Sequence, residues 1–318
     1  MLPALVLTAG LGTRLDPITR LVAKAAVPVA GRSLVERVLD WLAAQRVTDV
    51  VLNLHHRPET ITAIVGDGSH LGLRVRYSWE MPLLGSAGGP RHALDLLDSD
   101  SFFVVNGDTL CNVALASLAA AHQSQYQSSD AGVTMAVFPN PAPDRYNGLK
   151  VDDQGRVVGF VPRGQTGESW HFTGVQVANR GVFADLPDGV PAESVHGIYK
   201  ELMRPETGGV QAHRVDGGFY DVGAPSDYLR TSLALGNGNA VEPGAAIAPG
   251  ARVTRSIVWS GATIGAQAVI DDCIVTGVDV PPGFQARYSV LVPASVSQAG
   301  DIARVSGDIA CYPLDSHV

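Results

Sequence analysis

A glycine-rich turn with two positive charges follows the first apolar stretch of the chain. Residues 5–7 are Leu-Val-Leu, which is typical of a buried strand, and Gly10 and Gly12 follow closely. Glycines let the backbone approach a ligand and turn its N–H groups inward, which suits phosphate. Arg14 and Lys24 add positive charge of the kind that phosphoryl transfer needs. The spacing matches neither G-x-G-x-x-G nor a Walker A loop, so we predict another kind of phosphate site; an ordinary glycine turn with surface cations is the alternative.

A carboxylate follows another apolar stretch, at residues 101–105. Asp108 lies in the sequence Asn-Gly-Asp-Thr. Magnesium is usually held by one or two carboxylates together with phosphate oxygens and water, so an aspartate at a strand end is well placed to bind it. Asn-Gly-Asp is also rich in turn formers, and a simple turn is the alternative interpretation.

Strand-like and helix-like stretches alternate over about the first 235 residues, and they must position these groups. Ser33 and Glu36 form a capping box before an apolar helix pattern. We predict strands at 49–54, 73–77, 101–105 and 133–138, and helices from Pro58, from Pro90 to Leu97 and from Val113 to His122. The alternation predicts an α/β fold with a mixed, mostly parallel, doubly wound sheet, in which ligands bind beyond the carboxyl ends of the strands.

The spacing of apolar residues changes to a six-residue period near the C-terminus. Apolar β-branched residues recur at Val241, Ile247 and Val253, and the period resumes at Ile264 and Ile270. This period is typical of a β-solenoid and resembles the hexapeptide repeat of left-handed parallel β-helices. We therefore predict two domains, at 1–235 and 241–318, with 236–240 as the linker and a short β-helix in the second. A proline- and glycine-rich irregular tail is the alternative.

The composition is that of a folded globular protein. The chain has 318 residues, of which 46% are hydrophobic and 17% charged. Its net charge of −8 argues against general nucleic-acid binding, which needs a basic surface. Cys111, Cys273 and Cys311 lie far apart, which predicts free thiols in a reducing compartment. The sequence has no signal-peptide pattern and no apolar run of about 18 residues, so we expect no membrane contact and a cytoplasmic location.

The run from residue 10 to residue 24 resembles the signature of the sugar-1-phosphate nucleotidylyltransferases, G-x-G-T-R-L-x-P-L-T followed by P-K-P. The prolines that flank the lysine in the family are Ala23 and Ala25 here. The resemblance implies a Rossmann-like nucleotidyltransferase domain over the first 235 residues. It also implies catalytic roles for Arg14 and Lys24 and nucleotide binding by a group of loop residues: Ala9, Gly10, Gly12 and Thr13.

Two further segments are similar to motifs of the same family. Residues 80–89 resemble its base-binding loop, E-x-x-P-L-G-T-A-G-A, which implies nucleotide binding by Gly85, Ser86, Ala87 and Gly88. Residues 217–228 resemble its segment G-x-W-x-D-V-G-T-P-x-x-Y, with Ala224 in place of threonine. The resemblance implies that Asp221 and Asp108 together hold a catalytic Mg²⁺.

The sugar side of the site is implied by weaker matches. Residues 146–148 and 171–175 resemble the sugar-contact turn and strand of the family, with Asn147, Gly148, Thr173 and Gly174 as the binding residues. Relatives often carry Glu-Lys-Pro between these segments, whereas this chain has Val-Pro-Arg. Whether Arg163 replaces the missing lysine is left open.

The implied reaction joins an NTP and a sugar 1-phosphate to give an NDP-sugar and pyrophosphate. The tail and the length resemble mannose-1-phosphate guanylyltransferases, whereas Thr173 and Gly174 resemble N-acetylmuramate-1-phosphate uridylyltransferases, so the sequence leaves the nucleobase and the sugar open. A non-catalytic regulatory subunit that binds a nucleotide sugar is the alternative function. We expect a homo-oligomer, because short solenoids have coil ends that stack against neighbours.

Overall fold

The computed structural model describes residues 1–128, 132–204, 207, 209–236 and 238–314. Its α-helices are α1 (Leu34–Ala44), α2 (Pro58–Val65), α3 (Gly85–Leu97), α4 (Leu115–Ser128), α5 (Gly181–Ala184), α6 (Tyr199–Leu202) and α7 (Pro225–Leu235). Short 3₁₀ turns lie at Thr13–Leu15, Ile18–Arg20, Lys24–Ala26, Ser69–Leu71 and Ala294–Val296. Within the described ranges, none of the helices has the length and apolar character that a membrane crossing requires.

The strands fall into a longer N-terminal set and a shorter C-terminal set. The first set is β1 (Ala4–Leu7), β2 (Pro28–Val29), β3 (Arg32–Ser33), β4 (Asp49–Leu54), β5 (Arg74–Trp79), β6 (Ser101–Asn106), β7 (Thr109–Cys111), β8 (Val133–Pro139), β9 (Gly148–Val151), β10 (Val157–Val161), β11 (Trp170–Asn179), β12 (Val210–Arg214) and β13 (Phe219–Asp221). The second set is β14 (Ala240–Val241), β15 (Ala246–Ile247), β16 (Arg252–Thr254), β17 (Ile257–Val258), β18 (Thr263–Ile264), β19 (Val269–Asp271), β20 (Ile274–Val275), β21 (Asp279–Val280), β22 (Gln285–Arg287), β23 (Ser289–Pro293), β24 (Arg304–Ser306) and β25 (Ile309–Pro313).

The chain divides into two compact units. Unit 1 comprises residues 1–10, 38–58 and 65–219, and unit 2 comprises residues 11–37, 59–64 and 220–318. The domain boundary predicted at 235–241 was based on the change in sequence pattern, not on these units, and it stays a prediction. Residue 237 of the predicted linker lies outside the described residues.

Unit 1 is built on a mixed sheet. Strands β5, β4, β1 and β6 are parallel neighbours, and β11 pairs antiparallel with β6 on one side and with β8 and β9 on the other. The expectation of a mostly parallel sheet is therefore corrected: the parallel half stops at β6, because β11 enters the sheet in the opposite direction. The carboxyl ends of β1, β4 and β6 lie on one edge, where polar segments follow each strand.

The local patterns predicted for about the first 235 residues largely form. The predicted strands are confirmed within a residue or two, and Ser33 and Glu36 form the capping box of α1, with Ser33 N donating to Glu36 Oε2 at 2.9 Å. The start predicted for α3 at Pro90 is wrong, because the helix begins at Gly85. Small residues before the proline form an extra turn, and the carbonyl of Ala192 accepts its amides.

The core of unit 1 lies between this sheet and its helices. Its buried members include Leu5, Val51, Leu94, Phe102, Val104, Met135, Val137, Phe183 and Tyr199. Burying aliphatic and aromatic side chains of this size is the main favourable term in folding. The core therefore gives the polar edge a rigid support.

The C-terminal part of unit 2 contains three sets of short parallel strands. They pair in the orders β14-β17-β20-β23, β15-β18-β21 and β16-β19-β22, and the first set continues into the antiparallel β25 and β24. The buried side chains between them form a second core that includes Val258, Ile264, Ile270, Val275 and Leu291. Of the residues in the predicted six-residue period, Ile264 and Ile270 lie in this core and Val253 packs against it, whereas Val241 and Ile247 are exposed.

Candidate active site

The start of the glycine turn is held by an asparagine from the neighbouring strand. Asn53 Oδ1 accepts hydrogen bonds from the backbone N–H of Thr8 at 2.6 Å and of Ala9 at 3.3 Å. The hydroxyl of Thr8 donates to the carbonyl oxygen of Asn53 at 2.5 Å. All three residues are buried. Buried polar groups are costly unless they are hydrogen-bonded, so this set fixes the path of the chain into the turn.

The same asparagine reaches the predicted base-binding loop through a buried glutamate. Asn53 Nδ2 donates to Glu80 Oε1 at 2.7 Å, and the backbone N–H of Leu84 donates to Glu80 Oε2 at 2.8 Å. Gly89 leaves room for the pair, because a Cβ there would lie 2.6 Å from Glu80 Oε1 and 2.9 Å from Asn53 Nδ2. The pair therefore ties the loop before Gly85 to the turn that begins at Thr8.

Asn53 and Glu80 were not among the residues that the sequence assigned to the site. Asn53 is the one polar residue between apolar neighbours in β4, and Glu80 opens the base-binding motif. A polar residue at the carboxyl end of a buried strand is a signal for this role, but the partner across the sheet is not readable from the sequence.

The predicted base-binding loop, residues 80–89, leads into the first turn of α3, which begins at Gly85. The backbone N–H groups of Ala87 and Gly88 donate to the carbonyl of Ala192 at 2.9 and 3.2 Å. The family resemblance implies nucleotide binding by these two residues, and in the structure their amides are hydrogen-bonded within the chain. The first amides of a helix have no partner within the helix. Nucleotide binding by the four residues at the start of this helix stays a prediction.

Ser86 belongs to a small polar network with Glu193 and Ser194. Its hydroxyl donates to Glu193 Oε2 at 2.6 Å and accepts from the backbone N–H of Ser194 at 2.9 Å. Gly85 has a left-handed backbone with φ of 76°, and a Cβ there would lie 2.7 Å from Glu193 Oε1. Glu193 therefore shapes the loop, and the sequence did not identify it.

Asp108 lies at the carboxyl end of β6, beside the end of β1. The backbone N–H of Gly107 donates to the carbonyl of Leu7 at 3.0 Å, and a Cβ at Gly107 would lie 2.6 Å from that oxygen. Asp108 is half-buried, and the Thr109 hydroxyl donates to its Oδ1 at 3.3 Å. Glycine at 107 thus allows the turn that carries Asp108 to pack on the strand leading into the glycine loop.

The predicted sugar-contact strand forms a bulge next to this turn. The Thr173 hydroxyl donates to the carbonyl of Ala136 at 3.0 Å and accepts from the N–H of Val175 at 3.2 Å. Gly174 has a φ of 80°, and a Cβ there would lie 2.9 Å from Asn106 Nδ2. The Thr173 hydroxyl therefore stabilises the bulge, and Gly174 permits the close approach to the segment that carries Asp108.

The second sugar-side segment brings Asn147 and Arg163 together. Asn147 Oδ1 accepts a hydrogen bond from the backbone N–H of Arg163 at 3.0 Å, and both residues are exposed. Gly148 is buried, and a side chain there would collide with Ser169. The contact places Arg163 beside the predicted sugar turn.

An aromatic cluster surrounds His171 in the same part of unit 1. Ring centroids of Phe138, Tyr146 and Phe219 lie 5.4, 4.8 and 4.6 Å from that of the His171 imidazole. His171 Nδ1 is buried and has no hydrogen-bond partner among the residues that the structure describes. Burial lowers the pKa of His171 to about 4, because desolvation disfavours the imidazolium. The ring is therefore neutral near pH 7.

In unit 2, Lys24 packs against the glycine turn. Gly12 has a φ of 64°, and a Cβ there would lie 2.8 Å from Thr19 Cγ2 and 3.1 Å from Lys24 Cβ. The Thr19 hydroxyl donates to the carbonyl of Gly12 at 3.2 Å. Ala23 donates its backbone N–H to the Thr60 hydroxyl at 3.0 Å, which holds the backbone before Lys24 where relatives use proline.

Arg14 and Asp221 converge on Gly223 in the same unit. A Cβ at the buried Gly223 would lie 2.9 Å from Asp221 Oδ2 and 3.1 Å from Arg14 Nη1. Arg14 is exposed and Asp221 half-buried. The structure thus brings together a guanidinium from the start of the chain and a carboxylate from its third quarter, within unit 2.

The carboxylates of this chain can be compared with the ligands that a magnesium ion requires. No group of three or more His, Cys, Asp or Glu side chains suited to a metal occurs within the described parts of the chain. Mg²⁺ needs only one or two carboxylates when phosphate oxygens and water complete its shell, and Asp108 in unit 1 and Asp221 in unit 2 are carboxylates of that kind. Each of these two carboxylates therefore has the chemistry of a magnesium ligand, and their binding of one shared ion stays a prediction.

Comparison with known proteins identifies a family for most of the chain. Residues 3–238 match the family described as Nucleotidyl transferase. The mannose-1-phosphate guanylyltransferase of Mycobacterium tuberculosis is 30% identical over 297 residues, covering 88% of this chain and 81% of that one. The D-glycero-alpha-D-manno-heptose 1-phosphate guanylyltransferase of Aneurinibacillus thermoaerophilus is 27% identical, covering 73% of this chain and 97% of that one. The mannose-1-phosphate guanylyltransferase catalytic subunit beta of Dictyostelium discoideum is 31% identical, and this chain spans 62% of it.

A solved structure shares the fold of about three quarters of the chain. HddC from Yersinia pseudotuberculosis complexed with GMP-PN superposes with a TM-score of 0.61 at 23% identity, covering 74% of this chain and all of that chain (100%). At this identity the likeness shows the fold alone. It supports a Rossmann-like α/β domain with a mixed sheet.

Proposed function

Because the chain belongs to the nucleotidyl transferase family, we propose that it is an enzyme that joins an NTP and a sugar 1-phosphate into an NDP-sugar, with release of pyrophosphate. The relatives named above are sugar-1-phosphate guanylyltransferases. We therefore take GTP as the nucleotide and a sugar 1-phosphate of manno configuration, either mannose or a heptose, as the acceptor.

The reaction needs positioning and charge stabilisation more than proton transfer. A phosphate oxygen of the sugar attacks the α-phosphorus in line, and because that oxygen already carries charge, no strong general base is required. Arg14 would hold the departing pyrophosphate, and Lys24 would stabilise the charge that develops near the α-phosphate. The packing of Lys24 against Gly12 supports its place in the phosphate loop.

Asp108 and Asp221 are the proposed ligands of Mg²⁺. A bound magnesium would neutralise charge on the phosphate groups. Both aspartates lie at the ends of strands, and the Thr109 hydroxyl bonded to Asp108 limits the orientations of that carboxylate.

The remaining binding residues are assigned by segment. Ala9, Gly10, Gly12 and Thr13 would bind the phosphates, and the amides of Gly85 and Ser86 would read the base. Asn147, Gly148 and Gly174 would lie along the sugar. Thr173 supports this surface through its bulge. We propose that Arg163 takes the place of the family lysine, because the bond from its backbone N–H to Asn147 Oδ1 holds this residue beside the predicted sugar turn.

The C-terminal part is proposed to be a short left-handed parallel β-helix over residues 241–318 that supports a homo-oligomer. The three sets of parallel strands support the helix, and repeats of this kind stack through their open coil ends. Light scattering would test assembly, and a monomer at micromolar concentration would contradict it.

Cys111, Cys273 and Cys311 are free thiols, in line with the cytoplasmic location that we propose.

The convergence of Arg14 and Asp221 on Gly223 is the single observation that carries the catalytic proposal. The test is a matrix of GTP, UTP, dTTP and ATP against mannose, glucose and heptose 1-phosphates, scored by pyrophosphate release. We expect release with GTP and a manno-configured acceptor. Release with another pair would replace the substrate assignment, and binding of a nucleotide sugar without any turnover would favour the regulatory subunit.

A further inference from the structure

Arg20 lies at the centre of a charged network that joins the signature segment to the C-terminal part of unit 2. Its guanidinium donates to Asp16 through Nε at 2.7 Å and through Nη2 at 2.5 Å. It also donates to Asp301 through Nη1 at 2.5 Å and through Nη2 at 3.1 Å. The carbonyl of Val296 accepts a further bond at 3.1 Å. One guanidinium therefore bridges two carboxylates, of which one is 281 residues away in the sequence.

Tyr312 completes the network from β25. Its hydroxyl donates to Asp301 Oδ2 at 2.5 Å, and the Arg20 guanidinium lies 5.6 Å from the centroid of its ring. The backbone N–H of Gln298 donates to the same carboxylate oxygen of Asp301 at 2.7 Å. The bonds from Gln298 and from Tyr312 of β25 therefore fix the orientation of the Asp301 carboxylate that binds Arg20.

The network acts on the stretch that carries Arg14. Arg20 ends the 3₁₀ turn Ile18–Arg20, and its neighbour Thr19 bonds the carbonyl of Gly12. Asp16 closes the other 3₁₀ turn, Thr13–Leu15, with its backbone N–H on the carbonyl of Thr13. Holding Arg20 and Asp16 together therefore fixes both sides of the short stretch from which Arg14 projects.

The charges are sheltered enough to hold this geometry. The side chains of Arg20 and Asp301 are 15% and 16% exposed, whereas Arg255, in an otherwise similar pair with Asp272, is 52% exposed. The hydrogen bonds to Asp301 and Asp16 raise the pKa of Arg20, and the bond from Arg20 holds the pKa of Asp301 well below its usual range. Exposed pairs contribute little, but sheltered bidentate pairs fix orientation.

We propose that Asp301, with Tyr312, is a positioning residue for the reaction: it holds Arg20, and through Arg20 it sets the placement of Arg14. The proposal rests on the catalytic function proposed above. It makes the C-terminal part of the chain necessary for full turnover.

The test compares Asp301→Asn with Asp272→Asn in the full chain. Each variant removes one charge from an Arg–Asp pair of unit 2, and asparagine tolerates the φ of 51° at position 272. We expect Asp301→Asn to lower kcat about tenfold with little change in the KM for the sugar phosphate, because a small misplacement of a charge-stabilising group affects the transition state most. Asp272→Asn is expected to keep wild-type kcat, and Asp301→Glu to recover part of the loss.

Amide hydrogen exchange distinguishes a failure of this positioning role from a failure of the proposed function on which it rests. Faster amide exchange in a peptide covering residues 11–20 is expected in Asp301→Asn and not in Asp272→Asn. Equal kcat and equal exchange in the two variants would overturn the positioning role. Faster exchange with a wild-type enzyme that releases no pyrophosphate would instead overturn the proposed function and leave the structural coupling in place.

Discussion

Asn53 Nδ2 donates to Glu80 Oε1 at 2.7 Å, across 27 residues of sequence and inside the buried edge of the sheet. The same asparagine accepts from Thr8 and Ala9, and the same glutamate accepts from Leu84. Two loops assigned to nucleotide binding therefore share one buried hydrogen-bonded pair. A substitution of either residue is expected to alter the conformation of both loops.

Replacing Glu80 by glutamine should destabilise the protein and weaken nucleotide binding. Both carboxylate oxygens accept N–H groups, so an amide NH₂ in either place leaves buried donors facing each other. The expected loss in the free energy of unfolding is about 1–3 kcal/mol, the usual cost of an unsatisfied buried group. Urea unfolding and GTP titration measure the two effects.

Glu59→Gln is the matched control, because Glu59 is exposed in α2. It should leave both measurements within error of the wild type. A Glu80→Gln variant with unchanged unfolding midpoint and unchanged GTP affinity would contradict the coupling of the two loops.

Replacing Arg14 by alanine should lower kcat by roughly 10²–10³-fold, the scale for losing one preorganised charge-stabilising donor. Arg14 is exposed, so folding should be unaffected. Pyrophosphate release measures the change, and Arg32→Ala, another exposed arginine of unit 2, is the control. Turnover within a few-fold of wild type would show that the glycine turn is structural.

Asp221→Asn should nearly abolish turnover and raise the Mg²⁺ concentration needed for half-maximal rate. Asparagine keeps the shape of the side chain but removes the charge that a divalent cation requires. A magnesium titration of pyrophosphate release measures this, and Asp108→Asn should behave in the same way. The exposed Asp153→Asn is the control, and near-normal turnover of Asp221→Asn at limiting Mg²⁺ would exclude Asp221 as a ligand.

Acid should destabilise the folded protein through His171. Its folded pKa of about 4 lies below the ordinary value of 6.5, so the unfolded chain binds more protons between these values. Stability is therefore unaffected above pH 7 and falls as the pH drops from about 6.5 to 4. The contribution is about 1–2 kcal/mol after allowance for the partial exposure of the ring.

His171→Phe keeps an aromatic ring in the cluster and removes the titration. Thermal unfolding at pH 7.5 and pH 4.5 should show a smaller acid loss in this variant than in the wild type. The exposed His70→Asn should retain the wild-type acid loss. The same loss in all three proteins would mean that other groups govern the acid response.

Much of the site was readable from short stretches of sequence. The glycine turn with Arg14 and Lys24, Asp108 after a buried strand, and the Ser33–Glu36 capping box each depend on residues a few positions apart. Interactions within a turn or a single helix end are encoded by spacing and residue type, because the chain between the partners has few alternative conformations. The family motif then added Asp221, which has no local signal of its own.

Other features depend on how distant segments meet. The Asn53–Glu80 pair requires the register of β1, β4 and β5; the Ser86–Glu193 contact requires a segment 107 residues downstream. The direction of β11 made the sheet mixed, and the Arg20–Asp301 bridge joins the two ends of the chain. The sequence around one partner of such a pair does not identify the other partner, because the contact exists only once apolar burial has brought the strands together.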